Sequence, residues 1–175
     1  MADLILSLRC LGQATLLAGT DESERLILPT GKPLALLTFL TCAPSRSATR
    51  DELIDLLWSN VEREYARHTL RQTLWYIKRR MGADPFATHR NTLSLAIDLP
   101  SDRAAFLAAL EIGDPATAIS HYNGDFLPGF AAPGGVAFEQ WADAERSRLR
   151  ALYLHATETE SWQETHHSGA TAQVR

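Results

Sequence analysis

The sequence predicts a mainly α fold with a small β component: an N-terminal β-sheet, three helices closed by a β-hairpin, then a separate α-helical module. Three observations carry this. Brief apolar or alternating runs give way to helical spacing at Lys32. Thr49 and Glu52 form a Thr-x-x-Glu capping box at the head of a second helix. Pattern and charge then change together near "IDLPSD". Residues 1–97 hold 12 Lys/Arg against 10 Asp/Glu, and residues 98–175 hold 5 against 11. A basic part beside an acidic part divides the chain into modules 1–97 and 98–175.

The elements follow in order. "LILSLRCLG", "QATLLAG" and "RLILP" read as short strands separated by Gly12, "GTDES" and "PTGKP", giving a three- or four-stranded antiparallel sheet. "KPLALLTFLTCA" is a helix with Pro33 in its first turn, where a missing N–H costs nothing. "PSRS" breaks it, and "TRDELIDLLW" follows with Leu53, Leu56 and Leu57 on its apolar side. A third helix runs from Tyr65 to Met81, stopped by Gly82 and Pro85. "FATHRNTLSLAID" then reads as a hairpin turning at Arg90-Asn91. In the second module, helical patterns at 101–113, 114–124 and 138–159 suggest short antiparallel pairs, each hiding its face against the next. A stacked array of this kind would continue, so the expectation is a module cut short before Arg175.

The composition, 45% hydrophobic and 22% charged, is that of a globular protein. Apolar stretches such as "PLALLTFLTCA" fall short of a membrane span, and "MADLILSLRC" lacks a basic n-region and a cleavage site, so the expectation is a cytoplasmic protein. Cys10 and Cys42 have no metal-ligand spacing and read as reduced, semi-buried residues. "EIGDP" and "PGG" lack the Gly-x-x-x-x-Gly-Lys pattern and are turns. His166-His167 has no carboxylate or thiol partner at ligand spacing, so no metal is expected. Asp102 reads as a first-turn complement to its helix dipole. No nucleophile–base set is identifiable, and the reading includes no enzyme and no cofactor.

One stretch stands out. "RHTLRQTLWYIKRRMG", residues 67–82, carries six basic side chains, counting His68, in a chain of formal net charge −4. At about 100° per residue, Ala66, Leu70, Leu74, Ile77 and Met81 form a buried stripe. His68, Gln72, Trp75, Tyr76 and Arg79 lie opposite, with Arg67, Arg71, Lys78 and Arg80 along the flanks. Hydrogen-bonding groups at the centre and cations at the edges suit a face that reads bases and grips phosphates. A merely solvated face would interleave acids for pairing, and here Glu64 is the only one close by. Trp75 and Tyr76 are odd choices for such a surface, although either could pack half-buried against a neighbour. A preceding helix, a short link and a hairpin carrying His89, Arg90 and Asn91 at its tip complete a winged helix-turn-helix arrangement.

"LPTGKPLALLTFL", "SATRDELIDLLW", "ARHTLRQTLWYIKRRMGAD" and "LSLAIDLPSDRAAF" resemble the OmpR-type winged helix of bacterial transcriptional activators. "HYNGDFLPGF" followed by "FEQWADAERSRLRALYLHA" is similar to the bacterial transcriptional activator domain, a tetratricopeptide-like module fused behind such winged helices in antibiotic-pathway activators. The resemblance covers about residues 4–160. It implies a four-stranded N-terminal sheet, a recognition helix at 65–81 and a wing at 86–97. It also implies double-stranded DNA as partner, bound at promoter repeats as a homodimer, with the "SNVERE" loop touching RNA polymerase. By position, His68, Thr69, Gln72, Thr73 and Tyr76 match base- or backbone-contacting sites, while Arg67, Arg71, Lys78 and Arg79 match or neighbour phosphate contacts. The chain departs from the family at Trp75 and Tyr76, where many relatives carry Ser or Arg, and its hairpin lacks the usual Gly-Tyr. The competing function is a protein–protein scaffold whose winged helix docks a partner protein.

Overall fold

In the computed structural model, which describes residues 5–20, 23–130 and 135–170, the chain opens on an antiparallel meander. Strands β1 (Ile5–Arg9), β2 (Thr15–Thr20) and β3 (Ser23–Leu28) pair in the order β1-β2-β3. The alternation in sequence becomes one buried face, with Leu8, Leu16, Ala18 and Leu28 turned inward. The resemblance implies four strands, and among the described residues there are three. The free edge of β1 is met by a loop instead: the Leu8 N–H donates to the Pro100 carbonyl at 2.9 Å, beside an isolated parallel bridge between Leu8 and Ser101. Pro100 has no N–H to give back, so no ladder can grow there.

Helix α1 (Lys32–Cys42) is buried on nearly every side, which makes it the centre of the first module. A single 3₁₀ turn, Pro44–Arg46, leads into β4 (Ser47–Thr49), a strand where the sequence reading expects only a break. Helix α2 (Arg50–Leu57) starts on the expected capping box. The Thr49 hydroxyl accepts the Glu52 N–H at 3.1 Å, and the Glu52 carboxylate accepts the Thr49 N–H at 2.7 Å. The bonds from the Thr49 backbone and hydroxyl hold the Glu52 carboxyl below its ordinary range. Such a cap is worth about 1 kcal/mol. Leu53 and Leu57 face the core as expected, Ile54 joins them, and Leu56 is only partly buried.

Helix α3 (Arg63–Met81) begins two residues before the expected start, because the Glu62 carboxylate caps it by accepting the N–H groups of Glu64 and Tyr65 at 2.9 and 3.1 Å. It stops at Gly82, whose left-handed φ of 75° lets its N–H reach the Lys78 carbonyl at 3.0 Å. The hairpin β5 (Phe86–His89) and β6 (Thr92–Leu95) turns at Arg90-Asn91 as expected. Its inner strand also pairs with β4, giving a second three-stranded antiparallel sheet of order β4-β6-β5.

Three helices follow: α4 (Asp102–Glu111), α5 (Pro115–His121) and α6 (Val136–Ala170). The last extends well past the expected 138–159. Ser101 and Asp114 cap α4 and α5 through bonds to Ala104 N–H and Thr117 N–H, so "EIGDP" is a turn between two helices. Helix α5 packs on both α4 and α6, and α6 also lies against α2. Trp141 of α6 meets Phe39 of α1 edge-on at 5.1 Å, and Tyr122 stacks on Tyr153 at 4.2 Å. Residues 131–134 of the expected Gly/Pro-rich loop and 171–175 of the tail lie outside the described residues. The described residues thus make a mixed α/β fold, mainly helical, with six α-helices and two small antiparallel sheets.

The buried residues form one cluster running from Leu8 to Leu149, so the two sequence modules share a core. The seam between them is polar and specific. The Asp102 carboxylate accepts the Cys10 N–H at 2.9 Å and the Leu11 N–H at 2.9 Å, across more than ninety residues of chain. The sequence reading gave Asp102 only a local role at its helix terminus. Next to it, the Arg103 guanidinium donates to Glu145 of α6 at 2.7 and 2.8 Å, both side chains largely shielded from water. Gly12, at φ 84°, passes so close to the Asn123 backbone that a Cβ would collide with it. Both cysteines are free thiols. Burial pushes Cys42 up to about 12, and burial followed by the Asp102 charge pushes Cys10 well above the ordinary thiol range, so neither is an activated nucleophile.

Replacing Asp102 by Ala should orphan two backbone N–H groups in residues that are 0% and 2% exposed. At about 1–3 kcal/mol per orphaned group, the loss should be on the order of 3 kcal/mol. Asp102→Asn keeps one acceptor oxygen and should lose clearly less. Urea denaturation of the three proteins checks this; equal midpoints for parent and Asp102→Ala would contradict it.

Candidate nucleic-acid interface

The exposed side of α3 is the one its periodicity marks out. Ala66, Leu70, Leu74 and Ile77 are buried, and Met81 packs partly against them. His68, Gln72, Trp75, Tyr76 and Arg79 face outward, with Trp75 58% and Tyr76 37% exposed. Tyr65 joins this strip at 61% exposure. Thr69 sits at its margin and donates its hydroxyl to the Tyr65 carbonyl at 2.9 Å. Thr73 differs from the other sequence-predicted contacts: it is 8% exposed. The end of β3, the turn after it and the start of α1, including Leu28, Pro29 and Pro33, line an apolar cleft with Thr73 and Tyr76. A buried threonine cannot reach a base edge without the turn moving. Of the two adjacent aromatic residues, Tyr76 is the less exposed and lines the cleft.

Geometry separates the cations more sharply than charge counting does. Lys78 pairs with Asp84 at 2.5 Å, just past the end of α3. The Arg80 Nε donates to the Ile27 carbonyl of β3 at 2.8 Å, which fastens the helix to the first sheet. Arg67 pairs with Glu64 at 2.9 Å on the same helix. Arg71 and His68 have no ion pair or side-chain hydrogen bond among the described residues, and Arg79 lies over a ring rather than an acid. Lys78, Arg79 and Arg80 have no acid partner within α3, and the partners that hold Lys78 and Arg80 come from outside the helix.

A second network fixes the hairpin beside α3. Arg63 donates to Asp51 at 2.7 Å and to Asp55 at 3.2 Å, bridging the first turn of α3 to α2. Asn91 at the hairpin turn donates its side-chain amide to the other Asp51 oxygen at 2.8 Å, and its carbonyl accepts the Arg50 N–H at 2.8 Å. Bonds from Asn91 and then Arg63 hold the Asp51 carboxyl below the ordinary carboxylate range. His89 and Arg90 stay exposed at the tip, and Arg90 adopts a left-handed φ of 54°. A non-glycine residue in that conformation costs about 1–2 kcal/mol. Arg50, Arg67 and Arg71 line the cleft between the hairpin tip and the two helices. Sequence reasoning missed Arg50 and Arg63. The available signal was their placement: each opens a helix, within reach of the acids on α2.

No set of three or more His, Cys, Asp or Glu side chains able to hold a metal occurs among the described residues. The side chains of His166 and His167 lie outside them. No helix there is long and apolar enough to cross a membrane.

The Asp51 latch has a pH signature. Its folded pKa lies below the unfolded value, so its contribution is complete above the ordinary carboxylate range and is lost as pH falls through the lowered value. Asn91→Ala should move the Asp51 midpoint back up, read by carboxyl-carbon NMR titration. An unchanged midpoint would show that the hairpin is not latched to α2.

No protein-family model matches the chain, and no curated protein matches it either, so the reading of this interface rests on its own residues.

Proposed function

We propose that the chain is a sequence-specific DNA-binding transcriptional regulator in which α2, α3 and the β5–β6 hairpin work as a winged helix-turn-helix. The observation that carries this reading is the outer strip of α3. His68, Gln72 and Arg79 stand in line on it with Arg71 beside them, none neutralised by an acid, in a chain of net charge −4. Such a strip suits the major groove, with Gln72 placed for a bidentate contact to adenine and Arg71 for a phosphate. The hairpin supports the reading too, because it keeps an arginine in a backbone conformation that glycine would take without strain.

On this reading α4, α5 and α6 belong to a tetratricopeptide-like activator module. Its acidic balance keeps it off the phosphates and orients α3 toward them. The protein works in the cytoplasm as a homodimer on promoter repeats, and "SNVERE", residues 59–64, is the segment that would touch RNA polymerase. A protein-docking role for α3 is the second reading. It is favoured by one fact: Arg67, Lys78 and Arg80 are already held by partners within the chain.

Titration of duplex DNA separates the two. Arg71→Ala should weaken binding on every sequence and lower the salt slope by about one counterion. Gln72→Ala should instead relax preference at one base position, by about 1–3 kcal/mol. If neither variant changes affinity, slope or preference, α3 does not face DNA and the docking reading takes its place.

A further inference from the structure

Two exposed aromatic residues one after the other, Trp75 and Tyr76, are costly on a solvated helix, and they do different things. Tyr76 lines the cleft against the β3–α1 turn. Trp75 is 58% exposed, with the Arg79 guanidinium 5.2 Å from its ring centroid, one helical turn on. Among the basic side chains of 67–82, Arg67, Lys78 and Arg80 are held by a carboxylate or a carbonyl. Arg79 is held by a ring. The difference is chemical. A carboxylate accepts the N–H bonds of a guanidinium, whereas a ring attracts the cation over its face and leaves those donors free. The ring therefore restrains Arg79 without neutralising it or occupying its hydrogen bonds.

Position decides what those donors can meet. Arg79 lies seven residues beyond Gln72, close to two full turns, so both stand on the central strip of α3 rather than on its flank. Flanks meet phosphates; the central strip of a helix in the major groove meets base edges. A planar fork held in one orientation suits the O6 and N7 acceptors of guanine, whereas a phosphate can be met by an unrestrained cation such as Arg71.

We propose that Trp75 is a positioning residue that holds Arg79 for a bidentate contact to a guanine in the major groove. The proposal rests on the DNA-binding reading above and reassigns Arg79 from phosphate neutralisation to base reading. Tyr76 differs from Trp75 in lining the cleft beside the β3–α1 turn.

Two measurements on the full chain test this. In the free protein, ¹⁵N relaxation of the Arg79 Nε–Hε group should show an ordered side chain. Order should persist in Trp75→Phe and be lost in Trp75→Leu, with thermal melts confirming that both variants fold. An equally ordered Arg79 in Trp75→Leu overturns the positioning role whatever the DNA data show. The second measurement uses a duplex selected for tight binding, with each guanine replaced in turn by 7-deazaguanine, which lacks N7. The parent should lose about tenfold or more at one guanine. Arg79→Lys and Trp75→Leu should no longer distinguish that guanine, while Trp75→Phe should. A parent that binds duplex selectively but notices no guanine overturns the guanine assignment alone. A parent that binds no duplex overturns it together with the DNA-binding reading. Loss of discrimination at a thymine on replacing it with uracil, in place of the guanine effect, would make Trp75 a direct contact to the thymine methyl and overturn its positioning role.

Discussion

The carboxylate of Asp102 takes two backbone N–H groups from Cys10 and Leu11, where β1 has just left its sheet, while its own backbone opens α4. A buried N–H must find an acceptor, and at this bend no strand neighbour supplies one. The acceptor comes instead from a helix terminus ninety residues on, which ties the first sheet to the helical part of the chain. Arg103 then reaches Glu145 on α6, and Arg146 of that helix donates to the carbonyls of Phe126 and Leu127. Helix α6 in turn lies against α2, which carries α3 through Arg63. The orientation of the outer strip of α3 is thus set by a chain of directional bonds laid over a shared apolar core.

The same economy of directional contacts explains why charge alone misleads on α3. Six basic side chains within sixteen residues read as one electropositive face. In the folded chain, three have partners that orient them along the protein: Arg67 on Glu64, Lys78 on Asp84 and Arg80 on Ile27. Arg80 in particular pins the end of α3 to β3. Surface ion pairs such as Lys78–Asp84 contribute only about 0–1 kcal/mol and can exchange for a phosphate, so they lower the resting field of the face without closing it. What remains unpaired is small and well placed: His68, Arg71 and the ring-held Arg79.

Signals written within a few residues were legible in the sequence. Thr49 with Glu52, Pro33, Gly82, and the hairpin turning at Arg90-Asn91 all form where local chemistry places them. The buried and exposed faces of α3 followed from spacing alone. What escaped depends on partners distant in sequence. Strand β4 is three residues long and exists because β6 pairs with it. Thr73 stands at the margin of the buried stripe on a helical wheel, and in the fold it is buried beside the cleft that the β3–α1 turn lines. Asp102 looked like a dipole complement because nothing in its neighbourhood mentions Cys10 or Leu11.

The most direct test of the claim that this fold presents α3 to DNA is selection of the full chain against randomised duplex, carried out at two salt concentrations. The expected result is an enriched motif, with affinity that falls steeply as salt rises, as it must when several phosphates release their counterions. Binding with no enriched sequence, or with no dependence on salt, would contradict it.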